Sequence, residues 1–408
     1  MWTHLPYRRN TTAISVLSNI VFSLWEARHE LIPYGGILKT SLFGAFKRTA
    51  TVGTVALGAT ALLLTGCGTA PAPSGSGSTG GTNAAANYLG CIVSDSGGFD
   101  DRSFNQSSYE GLKKAQTDLG IKMKEAQSTT KADFEPNLNQ MANAGCNLTF
   151  TVGFLLADAT KNVATANKDL HYAIIDDNSI NLPNVKPIVY DTAQAAFLAG
   201  YTAASVSKTG KVGTFGGINI PTVTIFMDGF ADGVKYYNEK TGKNVQLLGW
   251  NKDTQQGVFA NTFEIIQEGT KATNNLIGDG ADVIMPVAGP LGTGAGDAIL
   301  AANKGGKDVK LVWVDSDGFL TAPTYKSILL TSVIKTMGEA VQTIVKDDLA
   351  GKFDPTPYVG TLKNGGVALA PFHDLDSSVS ADTKSQLDAI QKGIIDGSIT
   401  VASKSSPK

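Results

Sequence analysis

Val93-Ser-Asp-Ser-Gly-Gly-Phe-Asp-Asp-Arg-Ser-Phe-Asn-Gln-Ser-Ser-Tyr-Glu-Gly-Leu112 joins the end of one element to the start of the next. The apolar run Tyr88–Val93 reads as a buried strand, and Asp95 falls where that strand ends. Gly97 and Gly98 mark a loop, and a helical pattern opens near Ser103. In an open α/β sheet, ligands collect in the crevice beyond the carboxyl ends of the strands. Asp95, Phe99, Phe104 and Asn105 are therefore placed to project into one crevice. An acceptor, aromatic faces and an amide are the parts that hold a flat, polar heterocycle. The competing reading is a loop with core aromatics and an Asp or Ser helix cap.

Outward from this stretch, strand-like runs alternate with amphipathic segments. Helices are expected at Phe104–Leu119, Phe134–Ala144 and Ala157–Asn167, and strands at Ile121–Ala126, Leu148–Val152 and Tyr172–Ile175. A second series follows a helix at Thr192–Val206. Its strands are expected at Lys211–Phe215, Val245–Gly249, Val283–Pro286 and Leu311–Val314, and its helices at Thr222–Tyr237, Phe259–Asn274 and Gly292–Asn303. A strand at Ser327–Ile334 and a helix at Thr336–Leu349 come next. This is the βαβ pattern of parallel sheets. Two such series predict an α/β protein of two doubly wound lobes.

A chain of 408 residues exceeds one ordinary core, which agrees with two lobes. The formal net charge of −2 gives no electrostatic case for nucleic acid. The cysteines, Cys67, Cys91 and Cys146, lack the spacing of a zinc site, so no structural metal is expected. Cys91 lies near the start of the first strand and Cys146 just before the third. In a doubly wound sheet those strands can be neighbours, so either a disulfide or two buried thiols fits.

Lys47-Arg48, the apolar run Val52–Leu64 and Leu64-Thr-Gly-Cys67 have the order of a secretory signal. The run is shorter than the roughly 20 residues of a membrane span. Leu-Thr-Gly-Cys67 also resembles a bacterial lipobox, whose cysteine is acylated. Residues 1–36 have no evident role upstream of a signal and read as a misplaced leader, with the signal at 37–66. Gly68–Asn87 is rich in Gly, Ser, Thr, Ala and Pro and reads, with Cys67, as a flexible tether over 67–87. Stable anchoring then requires at least two acyl chains on the cysteine. The expected location is the extracytoplasmic face of the cell membrane.

Gly98-Phe-Asp-Asp-Arg-Ser-Phe-Asn-Gln106 resembles the signature of the BMP (basic membrane protein) family, nucleoside-binding lipoproteins that serve ABC importers. Gly153-Phe154, Ala288-Gly289, Val314-Asp-Ser-Asp317 and Lys335 follow in the family's order. The resemblance covers roughly Leu89 to Lys335. It implies the type I periplasmic-binding-protein fold, with three crossings between discontinuous lobes. By that analogy the crossings fall near Asp191, Asp317–Thr321 and Leu349–Asp354. Lobe 1 is then expected at 88–190 plus 322–350, and lobe 2 at 191–321 plus 351–408.

The resemblance also implies roles. Phe104 and Phe226 would sandwich a purine, one from each lobe. Asp95 and Asn105 would bond the base edge, with Asp158 or Asp176 as further candidates. Asp315 or Asp317, with Lys335, would grip the ribose hydroxyls, and Gly289 would let the backbone approach the ligand. From the residues alone, Phe226 also fits a helix core, Asp317 a turn, Asp158 a helix turn and Lys335 a surface site. Asp100 and Asp101 also fit a helix cap, and Phe99 and Phe154 fit core or pocket wall. Asn251–Asn275 reads longer than the family's usual segment. Implied partners are the permease subunits and, through Cys67, the membrane; the protein is expected to act as a monomer without a cofactor. A sugar or autoinducer receptor, or a sensor that does not transport, shares the same fold.

Enzymatic motifs are weak. Gly292-Thr-Gly-Ala-Gly-Asp297 lacks the full dinucleotide fingerprint, and there is no Gly-x-Ser-x-Gly elbow. His171 and His373 have no partner visible in sequence. No catalysis is expected.

Overall fold

The computed structural model describes residues 80–407. The expected leader, the signal, Cys67 and most of the tether lie outside the described residues. The tether's last stretch is a helix instead, α1 (Gly80–Asn87), because Ala84–Ala86 are strong helix formers and Ala85 packs into the core.

The chain continues through β1 (Leu89–Ser94), α2 (Phe104–Leu119), β2 (Lys122–Ala126), α3 (Lys131–Asn143), β3 (Leu148–Val152), α4 (Ala157–Ala166), β4 (His171–Ile175) and β5 (Val185–Tyr190). Next come α5 (Thr192–Val206), β6 (Lys211–Gly216), α6 (Pro221–Thr241), β7 (Gln246–Leu248), the short strands β8 (Trp250–Asn251) and β9 (Gln256–Gly257), and α7 (Ile266–Gly278). Then follow β10 (Val283–Val287), α8 (Leu291–Lys304), β11 (Lys310–Asp315), α9 (Gly318–Thr321), β12 (Leu329–Lys335) and α10 (Met337–Leu349). The last elements are β13 (Tyr358–Gly360), β14 (Val367–Leu369) and α11 (Ala381–Asp396).

Two six-stranded sheets result. The first runs β2-β1-β3-β4-β5-β13, all parallel. The second runs β7-β6-β10-β11-β12-β14, with only β14 antiparallel. Each has the same winding, so β4 and β11 hold equivalent places. Their central strands are continuously buried, as parallel sheets covered on both faces require. In the second lobe α5, almost wholly buried, lies against α6; a Cβ on Gly229 would stand 2.2 Å from the Ala193 carbonyl oxygen. Cys91 and Cys146 form a disulfide, so the open choice between bridge and thiols closes in favour of the bridge.

The lobe boundaries differ from the expected ones. The first crossing runs from β5 to α5 through Asp191. The second is at Lys335–Thr336, not near Asp317–Thr321, because β12 pairs with β11 in the second sheet with Asp315 opposite Ile334. Of residues 322–350, only α10 returns to the first lobe, where it packs on α2. The third lies between β13 and β14, not near Leu349–Asp354, because β13 adds to the first sheet beside β5. Residues 322–335 thus belong to the second lobe, and 351–360 to the first. The strand expected at Ser327–Ile334 begins only at Leu329, after a 3-10 turn over Pro323–Ile328. The helix expected at Phe259–Asn274 begins only at Ile266, since Asn261 adopts a left-handed φ of 58° that ends helical continuity.

Candidate ligand-binding site

The strands' carboxyl ends face each other across a cleft enclosing about 540 Å³, part of it open to solvent. From the first lobe come Asp95 after β1, Phe104 and Asn105 on the first turn of α2, Phe154 after β3 and Asp176 after β4. From the second come Phe226 on α6, Ala288 and Gly289 after β10, Asp315 ending β11 and Lys335 ending β12. Eight of the ten candidates chosen from sequence line this one cavity: Asp95, Phe104, Asn105, Asp176, Phe226, Gly289, Asp315 and Lys335.

Asp158 and Asp317 do not. Asp158 is exposed on the first turn of α4 and is not among the cavity's lining residues. Asp317 caps α9 by accepting from the Phe319 amide at 3.0 Å, and its other oxygen pairs with His373 Nε2 at 2.8 Å. Both its oxygens are thus engaged within the second lobe, and the residue is not part of the cavity lining.

Lys335 is the electrostatic centre. Its ammonium donates to Asp176 Oδ2 at 2.6 Å and lies 3.5 Å from Asp315 Oδ1. It also sits 4.9 Å from the Phe104 ring centroid and 5.1 Å from that of Phe226, one ring from each lobe. Burial alone would lower the lysine's affinity for its proton. The Asp176 and Asp315 carboxylates outweigh it and leave the pKa above the ordinary value. Burial likewise raises the Asp176 carboxyl, and Lys335 reverses only part of that rise. Asp176 (φ 68°) and Asp315 (φ 70°) occupy equivalent strand ends, and both hold a left-handed backbone uncommon for a residue with a side chain. The two lobes thus offer one lysine a matching pair of strained carboxylates.

At the other end, Asn105 Nδ2 donates to Asp95 Oδ1 at 3.2 Å and to the Ser96 carbonyl at 3.2 Å. Its Oδ1 is buried without a protein partner, an unsatisfied acceptor beside the cavity. Burial pushes the Asp95 carboxyl well above the usual carboxylate range, against the pull of the Asn105 hydrogen bond, and Asp101 and Asp176 add to the rise. A protonated carboxyl presents both a donor and an acceptor. Gly153 makes room for it: a Cβ there would stand 2.0 Å from Asp95 Oδ2.

Sequence reasoning missed part of the wall. Asp101, read as a cap, accepts the amides of Ser103, Asn105 and Gln106 at 3.0, 2.9 and 3.0 Å, and burial pushes its carboxyl up to about 6. Ser103 Oγ lies 2.8 Å from Asp315 Oδ2 across the cleft, a contact no local motif announces. The Arg102 carbonyl accepts from Trp313 Nε1 at 3.2 Å and from Ser316 Oγ at 3.0 Å, also across the cleft. Phe263 lines the cavity from the loop before α7, hidden in sequence by the misplaced helix start. Phe154 lines it as pocket wall, whereas Phe99 is buried and stacks on Tyr109. His171 pairs with Asp348, and neither it nor His373 reaches the cavity.

The model of the PnrA-like ABC transporter substrate-binding proteins matches residues 90–404. The chain belongs to this family. PnrA-like relatives include an ABC transporter nucleoside-binding protein, BmpA, of Lactococcus lactis, 32% identical over 88% of this chain and 99% of that protein. Basic membrane protein A of Borreliella afzelii is 30% identical over 75% of this chain and 89% of that one. Among solved structures, a solute-binding protein of an ABC transporter system from Aeropyrum pernix superposes with a TM-score of 0.70 at 23% identity, covering 79% and 94% of the two chains. One from Conexibacter woesei gives 0.60 at 23% identity, covering 77% and 98%. These structural likenesses establish the type I periplasmic-binding-protein fold. PnrA-like proteins are the substrate-binding components of ABC transporters, an extracytoplasmic family rather than a class of enzymes, and they work with a ligand and permease partners. Among the described residues no helix is long and apolar enough to cross a membrane.

Proposed function

We propose that this PnrA-like protein is the lipid-anchored receptor of an ABC importer and binds nucleosides, purine nucleosides foremost, between its lobes. One observation carries the reading. Phe104 and Phe226, from opposite lobes, converge on a charged end built from Lys335, Asp176 and Asp315. Aromatic faces suit a base, and carboxylates beside an ammonium suit vicinal hydroxyls. Asp95 and the unpartnered Asn105 Oδ1 supply mixed donors and acceptors for the base edge. The printed name of the Lactococcus lactis relative supports a nucleoside ligand. Hinge closure at the three crossings brings these halves together. Acylated Cys67 holds the protein at the membrane while the lobes present the bound ligand to the permease.

A sugar receptor would use the same carboxylates and pack the apolar C–H face of its ring on the phenylalanines, so the geometry alone does not separate the two ligands. Calorimetric titration with nucleosides, free bases and pentoses separates the readings. Saturable binding of purine nucleosides, weakened by Phe104→Ala, is expected. Binding of a pentose with nucleosides silent would overturn the ligand assignment. A Cys67→Ala chain is expected in the soluble rather than the membrane fraction.

A further inference from the structure

Beyond Lys335 the cleft opens into a second chamber of about 850 Å³, part of it open to solvent. It shares Phe154, Asp176, Thr222 and Lys335 with the ligand cavity, so it adjoins the charged end rather than the base end. Its inner wall carries Tyr190 and Thr192, only 4% and 0% exposed, and neither Tyr190 Oη nor Thr192 Oγ1 has a hydrogen-bond partner. Buried hydroxyls are nearly always paired, so two orphans in one wall mark a place prepared for a polar group.

The outer wall is the segment after α11. Lys404, Ser405, Ser406 and Pro407 line the chamber. Ser403 Oγ donates to Asp228 Oδ2 at 2.7 Å, Ser405 Oγ lies 2.9 Å from Thr224 Oγ1, and Ser406 Oγ donates to Asp191 Oδ1 at 3.0 Å. Asp191 is the first crossing. Its Oδ2 also accepts from Gln194, whose own oxygen accepts from the Leu362 amide at the third crossing. The segment is therefore fixed in place as a wall.

We propose that this chamber is a subsite for a neutral or cationic, hydrogen-bonding substituent on the sugar's primary hydroxyl. The inference rests on the nucleoside reading and adds a ligand class to it. Asp315 and Lys335 occupy the ring hydroxyls in that reading, which leaves the primary hydroxyl as the sugar's free arm. The charge around the junction selects the arm's chemistry. Asp176 and Asp315 both lean on Lys335, and Asp177, also buried, adds a third carboxylate to its single buried ammonium. Lys404 is exposed at the rim. A phosphate entering here meets carboxylates whose lysine is already engaged, whereas an amine or hydroxyl meets acceptors.

The test is a calorimetric comparison, on the full chain, of adenosine, adenosine bearing an aminoethyl group on its primary hydroxyl, and adenosine monophosphate. The aminoethyl compound is expected to bind within about threefold of adenosine or more tightly, and the monophosphate at least about tenfold more weakly. Ser405→Trp fills the chamber from a segment outside both sheets; it is expected to exclude the aminoethyl compound and leave adenosine unchanged. Thr192→Val keeps the volume, removes one orphan hydroxyl and weakens the aminoethyl compound alone. Rejection of that compound while adenosine binds, or equal binding of the monophosphate, overturns the subsite. Silence of adenosine itself refutes the nucleoside reading, a result distinct from failure of the chamber.

Discussion

Replacing Lys335 by methionine keeps most of the stem and removes the charge. Two buried carboxylates, Asp176 and Asp315 at 7% and 6% exposure, then lose the cation they share at 2.6 and 3.5 Å. Removing one partner of a buried pair costs about 3–5 kcal/mol, because the remaining charge is uncompensated. That loss is expected near pH 8. It must shrink in acid. Burial already raises the Asp176 carboxyl and Lys335 opposes the rise, so without the lysine the rise is larger. The folded variant then holds a proton that the unfolded chain has released. Stability therefore falls as pH climbs from the ordinary carboxylate range through the raised value, and the deficit is relieved on the way back down. At pH 4 the expected loss is about 1–2 kcal/mol, the scale of lost hydrogen bonds. Urea unfolding of both proteins without nucleoside, at pH 4 and pH 8, measures this. Adding Asp176→Asn to the variant is expected to recover part of the loss at pH 8. A deficit of equal size at both pH values, or a variant as stable as the parent at pH 8, would refute the buried-pair argument.

Other perturbations follow from the same geometry. Phe226→Ala is expected to weaken purine nucleosides by about 1–3 kcal/mol in calorimetry, with little change among different bases, because every base offers a π face. Asp95→Asn keeps one donor and one acceptor, so binding should stay within about threefold between pH 5 and 8, while Asp95→Ala loses about 1–3 kcal/mol. Gly153→Ala drives a Cβ to 2.0 Å from Asp95 Oδ2, and titration should show weakened nucleoside binding in a chain with native circular dichroism. Replacing both Cys91 and Cys146 by serine opens a link across a sequence separation of 55 residues, an expected cost of about 4 kcal/mol in guanidinium unfolding.

Local pattern made much of this molecule legible. The helices Phe104–Leu119 and Thr192–Val206 and the strand Leu148–Val152 lie where periodicity alone puts them. The two helices are long, and the strand joins apolar residues to β-branched threonines and is buried throughout. The strand Val185–Tyr190 carries little local signal, since Lys186 and Pro187 interrupt its apolar run. The lysine is accommodated because its ammonium reaches the Asp354 and Thr356 carbonyls at 2.9 and 2.7 Å. Crossing points were the hardest to read. Whether β12 joins β11 or returns to the first sheet depends on pairing between distant segments, and the sequence of β12 satisfies either. The same limit applies in the cleft: Asp95 and Asn105 are 10 positions apart in one strand–loop–helix stretch and announce themselves, whereas Ser103 and Asp315 are 212 positions apart.

Lys335 is the last residue of β12, and Thr336 begins the passage to α10. In the proposed reading, the group that meets the ligand's hydroxyls is thus covalently adjacent to one of the crossings between the lobes. On that reading, ligand contact and lobe crossing share one peptide unit, so closure on the ligand needs no relay through intervening side chains. A fluorescent label at exposed Lys363 in the neighbouring crossing is expected to change its emission when nucleoside is added, with no permease present.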